Sequence, residues 1–540
     1  MRRILKITAE HSQPLYDIAA TRAIEQGAQA GLPPHTLMQR AGLAAAQLTL
    51  ALAPHARHIW IACGPGNNGG DGFEAALQLH RLGKTVTMSW TDQAADRPDS
   101  KPVQAADAHA ARQRAIAAGL TICSEAPDEF DFGMDALLGL GGDLSPERAG
   151  TPQIAEWLRH MHGRGAPVLS LDLPTGLNAD TGEQAPARAR ALALDSQPTA
   201  GLRHTLSLLT LKPGLFTAAG RDEAGQVWFA DLGISPPAQV QPCAWLQGAD
   251  TLAASLLARR LHASHKGSFG DVAVLGGDSG LSSNVKNAAH TNPDGARPWS
   301  GMTGAALLAA RAALHAGAGR VYVALLGDAT MSADLDQPEL MFRNPAALDL
   351  ARQVLVCGCG GGQAIRQYLP AVLERARRAI FDADALNAIA EDPTLQAQLA
   401  ARQARGCTSI LTPHPLEAAR LLQCSAAQVQ SDRRRAAQTL ADSLGCVVVL
   451  KGSGSLIAAP GQTPRINHSG NALLASAGTG DVLAGMIGAA LAAGETSWAA
   501  ASQAVFRHGQ IADEWARRPQ PGTLTAGLLA RRTGWQATWV

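Results

Sequence analysis

The residues best suited to chemistry lie in Gly478-Thr479-Gly480-Asp481, which runs into the apolar stretch Val482 to Ile487. Small flexible residues, a carboxylate, then apolar residues with Gly485 and Gly488 at helical spacing predict an Asp in the first turn of a buried helix. Backbone N–H groups at such a terminus have no intrahelical partner and favour an anion such as a phosphate. Asp481 could then act as a base beside a bound phosphate. Taken alone, the same four residues are a helix start with a capping Thr and an Asp suited to the dipole.

Further chemistry-bearing stretches precede it. Asp382-Ala383-Asp384-Ala385-Leu386-Asn387 and Thr412-Pro413-His414-Pro415-Leu416-Glu417 each follow a short apolar run. Lys451-Gly452-Ser453-Gly454-Ser455 offers amides and an ammonium suited to nucleotide phosphates. Far upstream, Gly64-Pro65-Gly66-Asn67-Asn68-Gly69-Gly70-Asp71-Gly72 packs five glycines into nine residues. That composition is costly in chain entropy unless the backbone takes positive φ or lets a ligand approach closely. The spacing is neither GxGxxG nor a Walker A lysine motif, so NAD or ATP binding by those devices is not indicated. Asp135 in Phe132 to Gly141 and Asp172 in Val168 to Leu177 add two carboxylates at strand ends.

Alternating short elements must hold these groups. His58 to Cys63 is a buried strand leading into the glycine loop and then a helix over Phe73 to Leu82, the first unit of a Rossmann-like sheet with ligands at the carboxyl ends of its strands. In the second half, strand, glycine turn and helix recur at Val354 to Gly362, Ile380 to Asp382 and Ile410 to His414, which indicates a second parallel sheet with helices on both faces. The Pro-rich stretch from Ser235 to Pro242 reads as a linker. The expected organisation is α/β throughout: a Rossmann-like three-layer αβα domain over 1–235, a linker over 236–250, and a second α/β domain over 251–540. Leu281 to Ser300 reads as a surface insertion, either a mobile lid or an inert loop.

At 540 residues the chain exceeds what one hydrophobic core supports, so two domains are expected. A net charge of +1 gives no general attraction to nucleic acid or anionic lipid, so any phosphate site must be local. No stretch has the roughly 20 uninterrupted apolar residues of a membrane span, and Met1 to Ile7 lacks the apolar core of a signal peptide. A cytoplasmic protein is expected. The eight cysteines are scattered, and Cys357-Gly358-Cys359, the one close pair, matches neither a zinc knuckle nor a CxxC redox pair.

The motifs from Asp382 to Asp481 fall in one order that resembles the ADP-dependent NAD(P)H-hydrate dehydratases, and the Asn67-Asn68-Gly69-Gly70-Asp71-Gly72 loop resembles that of NAD(P)H-hydrate epimerases. The resemblance implies a ribokinase-like second domain and a bifunctional repair enzyme. Its first domain would interconvert the R and S epimers of NADHX and NADPHX, and its second would dehydrate the S form with ADP. It implies epimerase substrate contacts at Asn67, Asn68, Gly69, Gly70, Asp71, Gly139, Leu140, Gly141, Gly142, Asp143, Leu144, Ser145 and Asp172, with Asp172 as acid/base. It also implies a potassium ion at Asn68, Asp135 and Thr175. In the second domain it implies dehydratase substrate contacts at Ala305, Gly360, Gly362, His414 and Asp481, with Asp481 catalytic. ADP or AMP would meet Lys451, Gly452, Ser453, Gly454, Ser455 and Gly480, with magnesium accompanying the nucleotide. A homo-oligomer is expected. The chain departs from the pattern at Leu140, Thr175, Cys359 and Gly361, and in its late Gly301-Met302-Thr303-Gly304-Ala305. The rival reading is a ribokinase-like vitamin or sugar kinase fused to a non-catalytic ligand-binding module.

Overall fold

The computed structural model describes residues 4–91, 106–142, 144–148, 150–193, 201–251, 262–279, 301–327, 331–519 and 522–534. The expected insertion over 281–300 and Asp143 lie outside the described residues. The chain divides into two compact units, Met1–Thr8 with Gln13–Trp245, and Ala9–Ser12 with Leu246–Val540. The division falls inside the stretch expected to be a linker. There Ala244–Gln247 forms a strand, with Ala244 and Leu246 fully buried.

The first unit is built on a sheet in the order Leu5–Lys6, Gln226–Ala230, Arg203–Leu208, Val168–Leu171, Phe132–Ala136, His58–Cys63, Thr85–Trp90, Ile122–Cys123. Leu5–Lys6 runs antiparallel and the rest are parallel. Period-2 alternation sorts the side chains of His58–Cys63 onto two faces. Ile59, Ile61 and Cys63 join one apolar cluster with the helices Thr36–Leu52 and Asn67–Arg81. Trp60 and Ala62 join another with Thr151–Gly163. This is a three-layer αβα arrangement, and its neighbouring strands His58–Cys63, Phe132–Ala136 and Val168–Leu171 end side by side.

One expectation needs correction. The glycine-rich stretch is not a loop before a helix at Phe73: the helix already begins at Asn67, with Gly66 as its N-cap, so Gly69, Gly70 and Gly72 are helical. None of the three has positive φ. A Cβ on Gly69 would lie 1.9 Å from the Gly64 carbonyl oxygen, one on Gly70 2.6 Å from the Met38 side chain, and one on Gly72 2.7 Å from the Ala136 Cβ. These glycines serve close packing of the protein on itself, and the tight seat fixes where the Asn67, Asn68 and Asp71 side chains emerge.

The second unit carries parallel strands in the order Met341–Phe342, Arg320–Leu326, Asp271–Asp278, Val354–Cys357, Arg378–Phe381, Thr408–Leu411, Val447–Leu450, continued by Leu456–Ala458 and Arg465–Asn467 in antiparallel sense. On one face Val272, Val274, Val354, Val356, Ile380, Val447 and Val449 pack against the helices Thr303–His315, Thr479–Ala492 and Ser497–Ala516. Gly485 and Gly488 let Thr479–Ala492 approach its neighbours. A Cβ on Gly485 would fall 2.0 Å from the Ala309 carbonyl oxygen, and one on Gly488 2.7 Å from Val356. A helix held that tightly gives the residue in its first turn a fixed position.

Candidate active sites

At the carboxyl ends of the first sheet lies a cavity of about 500 Å³ lined by Asn67, Asn68, Asp71, Gly139 to Gly142 and Asp172, together with Arg22 and Glu25 from the helix Ile18–Gln29. Of the other expected contacts, Gly69, Gly70, Leu144 and Ser145 do not line it. Leu144 is buried in the apolar cluster that also holds Trp60 and Ala62. The cavity's chemistry centres on Asp172, which is 8% exposed and held at φ 63°, in the left-handed region. Its Oδ1 accepts the Leu208 N–H at 3.0 Å and pairs with the Lys212 ammonium. Lys212 is fully buried and also donates to the Leu208 carbonyl at 2.7 Å and to Ser207 Oγ. Asp71 faces the same cavity in a different state. Burial, then the charges of Asp172, Glu25 and Glu74, push its carboxyl well above the usual range, with Lys212 opposing. A carboxylate with an ammonium partner thus faces a carboxyl whose pKa burial raises. Burial, then Asp172, also raises Glu25.

Asp135, in the strand Phe132–Ala136, is fully buried. It accepts the Thr175 N–H at 2.9 Å and the Thr175 hydroxyl at 2.6 Å, with Ser170 Oγ at 3.5 Å. Among the described residues no cationic side chain pairs with it. Asn68, 7% exposed, has both side-chain polar atoms buried without a hydrogen-bond partner. The wholly unsatisfied buried amide of Asn68 costs roughly 1–3 kcal/mol per polar group unless a ligand completes it, and the Asp135 carboxylate has hydrogen bonds, including one from the Leu137 N–H at 3.3 Å, but no cationic partner among the described residues. The donor set is all oxygen, which suits a hard cation. The residues present fit the expected potassium ion.

In the second unit the expected groups converge on the carboxyl edge of the sheet. Asp481 lies in the first turn of Thr479–Ala492, whose N-cap Gly478 has φ 87°. Burial, then the Asp382 carboxylate, raises the Asp481 carboxyl to about 7. Asp382, 1% exposed, follows the strand Arg378–Phe381 and accepts from Lys451 Nζ at 2.7 Å and Thr412 Oγ1 at 2.8 Å. Burial pulls the Lys451 ammonium down, but Asp382 and Glu417 outweigh it and leave its pKa raised, so it stays charged. A Cβ on Gly480 would come 3.4 Å from Lys451 Nζ, so the helix start and the lysine are adjacent. Gly452 at φ 135° and Gly454 at φ 63° turn the chain after Lys451 in a way that side chains resist. Gly360 carries φ 59°, and a Cβ there would lie 3.0 Å from that of Ala305, bringing these two expected contacts together. Gly362 donates to Asp384 at 2.9 Å.

His414 sits at the rim but also has a local task. Its Nδ1 accepts the Leu416 and Glu417 N–H groups at 3.1 and 3.3 Å, capping the helix Pro415–Leu422, and its Nε2 lies 3.2 Å from Glu417 Oε1. Burial, then Lys451, lowers the imidazole pKa, so it is neutral at pH 7. An Nδ1 acceptor places the proton of the neutral ring on Nε2. Besides Arg22 and Glu25, Lys212 and Asp382 stand at these centres without being among the expected contacts. Lys212 has a signal in the sequence: an amine between the apolar runs 206–211 and Leu215-Phe216 must be buried and therefore paired. Asp382 stands directly after an apolar strand, the position that Asp135 nearly shares in the first unit.

The chain is thus a two-unit α/β protein with a carboxylate-lined cavity in one unit and a helix-terminal Asp beside a Lys and a glycine turn in the other. Residues 34–214 match the family described as YjeF-related protein N-terminus, and residues 299–533 match the NAD(P)H-hydrate dehydratase family. The bifunctional NAD(P)H-hydrate repair enzyme of Escherichia coli is 35% identical over 518 residues, which span 93% of this chain and 88% of that protein. The ADP-dependent (S)-NAD(P)H-hydrate dehydratase of Neisseria meningitidis is 38% identical over 52% of this chain and 88% of its own length. Among solved structures, the ADP/ATP-dependent NAD(P)H-hydrate dehydratase from Bacillus subtilis is 28% identical and covers 51% of this chain and 91% of its own, with a TM-score of 0.41. This chain belongs to the family of bifunctional NAD(P)H-hydrate repair enzymes.

Proposed function

We propose that the first unit interconverts the R and S epimers of hydrated NADH and NADPH, and that the second removes water from the S form at the expense of ADP, releasing AMP and phosphate. The observation that carries the reading is Asp481 at the N-terminus of Thr479–Ala492 beside the Lys451–Asp382 pair. Hydroxide is a poor leaving group, and phosphate is a good one. As the terminal phosphoryl group of ADP moves to the substrate hydroxyl, Asp481 accepts the hydroxyl proton. Lys451 and the helix-terminal amides stabilise the charge that develops on the phosphoryl oxygens. Phosphate then departs and the reduced nicotinamide is restored. A carboxyl raised to about 7 accepts a proton more readily than an ordinary Asp.

In the first unit, Asp172, paired with Lys212, acts as base, and Asp71, whose carboxyl burial raises well above the usual range, acts as acid. Asn68, Asp135 and Thr175 would hold a potassium ion, whose positive charge offsets Asp135 beneath an anionic substrate. Magnesium would accompany the nucleotide phosphates in the second unit. We further infer a cytoplasmic homo-oligomer acting on small molecules. The test is to incubate the protein with hydrated NADH and ADP, ATP or neither while following absorbance of the reduced nicotinamide. Recovery that requires ADP supports the reading. A stable phosphorylated product without such recovery would favour a small-molecule kinase.

A further inference from the structure

The helix Ile18–Gln29 carries none of the expected contacts, yet it brings a guanidinium to the first cavity. Polar contacts fix that helix in place. Asp17 caps it by accepting the Ala20 N–H at 2.8 Å, the Ile18 N–H donates to Asp180 Oδ1 at 2.9 Å, and the buried Thr21 and Thr210 hydroxyls hydrogen-bond at 2.8 Å. Ile24, 1% exposed, joins the apolar cluster that holds Ile59 and Ile61. With Thr21 and Ile24 buried, Arg22 and Glu25, three residues apart, both line the cavity.

Arg22 stands over the turn Gly139 to Gly142: a Cβ on Gly141 would lie 3.0 Å from its Nη2. A Cβ on Gly139 would lie 3.3 Å from that of Asn68, so the same turn abuts the start of the helix Asn67–Arg81. The N-cap of that helix, Gly66, supplies no side-chain hydrogen bond, and its first backbone N–H groups lack intrahelical partners. A guanidinium, a glycine turn and a helix start thus share one part of the cavity. Charge singles out the guanidinium. The cavity is also lined by the acids Glu25, Asp71, Asp107 and Asp172, of which Asp172 has Lys212 and Asp107 has His35 Nδ1 at 2.6 Å. An anionic substrate brought beside them is repelled unless a cation meets it. Among the described lining residues the cationic side chains are Arg22 and Arg148. Arg22 has no hydrogen-bond or ion-pair partner among the described residues and reaches Glu25 only through its charge. A guanidinium offers parallel N–H groups that match phosphate oxygens.

We propose that Arg22 clamps the pyrophosphate of the hydrated dinucleotide against the Gly139 to Gly142 turn, and so sets the hydrated ring at Asp172. The proposal rests on the reading of the first unit as an epimerase. Hydrated NADH and hydrated NADPH both carry the pyrophosphate, whereas the 2′-phosphate belongs to the latter alone. Binding energy gained at that remote anion is spent on orienting the reacting ring.

The experiment measures epimerisation by the full chain without ADP, so that dehydration does not intervene. The substrates are purified epimers of hydrated NADH, of hydrated NADPH and of hydrated dihydronicotinamide riboside, which has no phosphate. Wild type is compared with Arg22→Ala and Arg22→Lys, with thermal melting recorded alongside. Arg22→Ala should lower kcat/KM for both dinucleotides by about 10- to 30-fold, mainly by raising KM, because a charge-assisted hydrogen bond to phosphate is lost. Its Tm should stay at that of wild type. Arg22→Lys keeps the charge without the fork and should recover about half of the loss on a logarithmic scale. On the riboside the advantage of wild type over Arg22→Ala should vanish. An effect confined to hydrated NADPH would place Arg22 at the 2′-phosphate and overturn the proposal, as would an equal loss on the riboside. Wild type that leaves purified epimers of both dinucleotides unequilibrated would remove the epimerase reading and the proposal with it. Wild type that equilibrates them beside an Arg22→Ala variant of unchanged KM would overturn the proposal alone.

Discussion

Replacing Lys212 by Met removes the ammonium that faces Asp172 and leaves the rest of that carboxylate's surroundings in place. Asp172 would keep one backbone hydrogen bond, from Leu208. It would remain 8% exposed, and its carboxylate neighbours Asp71 and Glu25 offer no compensation. Breaking a buried ion pair from one side typically costs 3–5 kcal/mol, and the opening of Asp172 toward the cavity reduces that to about 2–4 kcal/mol. Lys212 also releases the Leu208 carbonyl, bonded at 2.7 Å, for about 1 kcal/mol more. For a unit of this size each kcal/mol lowers Tm by about 2–4 °C, so the transition of the first unit should fall by roughly 6–20 °C. Because the single variant is penalised mainly by an unpaired charge, the double variant Lys212→Met with Asp172→Asn should recover part of that loss. The assay is differential scanning calorimetry of the full chain, with all four members of the cycle compared. A Lys212→Met protein as stable as wild type, or a double variant as destabilised as the sum of the singles, would refute the reasoning.

Dehydration should follow an acid limb near pH 7, falling about tenfold per pH unit below it, because the base must be ionised and the Asp481 carboxyl sits at about 7; a limb near pH 4 in the profile of kcat/KM would contradict this. Epimerisation should rise with potassium but not with a bulky organic cation at equal ionic strength, and Asp135→Ala should lose that response with much of the rate. His508 is 8% exposed and neutral, with Nε2 donating to the Thr479 carbonyl at 2.9 Å, and burial lowers its pKa to about 4. Its folded pKa lies below the ordinary value of 6.5, so the unfolded chain binds the extra proton first. Stability should therefore decline as pH falls from about 6.5 to 4, and His508→Gln should flatten that decline in urea titrations.

The alternation of apolar strands and glycine turns was legible because each strand is buried on both faces and reads as an unbroken apolar run, as at His58–Cys63 and Val447–Leu450. Asp481 was legible for a related reason: a glycine at positive φ, two small residues and an apolar helix leave one place for a carboxylate. The glycines after Asn67 misled, because a helix interior seldom tolerates three of them. Only tertiary contacts such as that of Gly69 with the Gly64 carbonyl explain why this one does. The partners of the catalytic groups were the least legible. Lys212 is 40 residues from Asp172 and Lys451 is 69 from Asp382. Such pairings depend on which strands become neighbours, which local pattern does not specify.

The most direct test of two coupled activities uses an equilibrated mixture of R and S hydrated NADH with potassium and ADP. Wild-type protein should restore the reduced nicotinamide from the whole mixture, with one AMP and one phosphate formed per NADH. Asp172→Asn should restore the S fraction rapidly and the remainder only at the uncatalysed rate of epimerisation. Asp481→Asn should restore nothing while still equilibrating a purified epimer. Full recovery by Asp481→Asn, or recovery by wild type without consumption of ADP, would contradict the account.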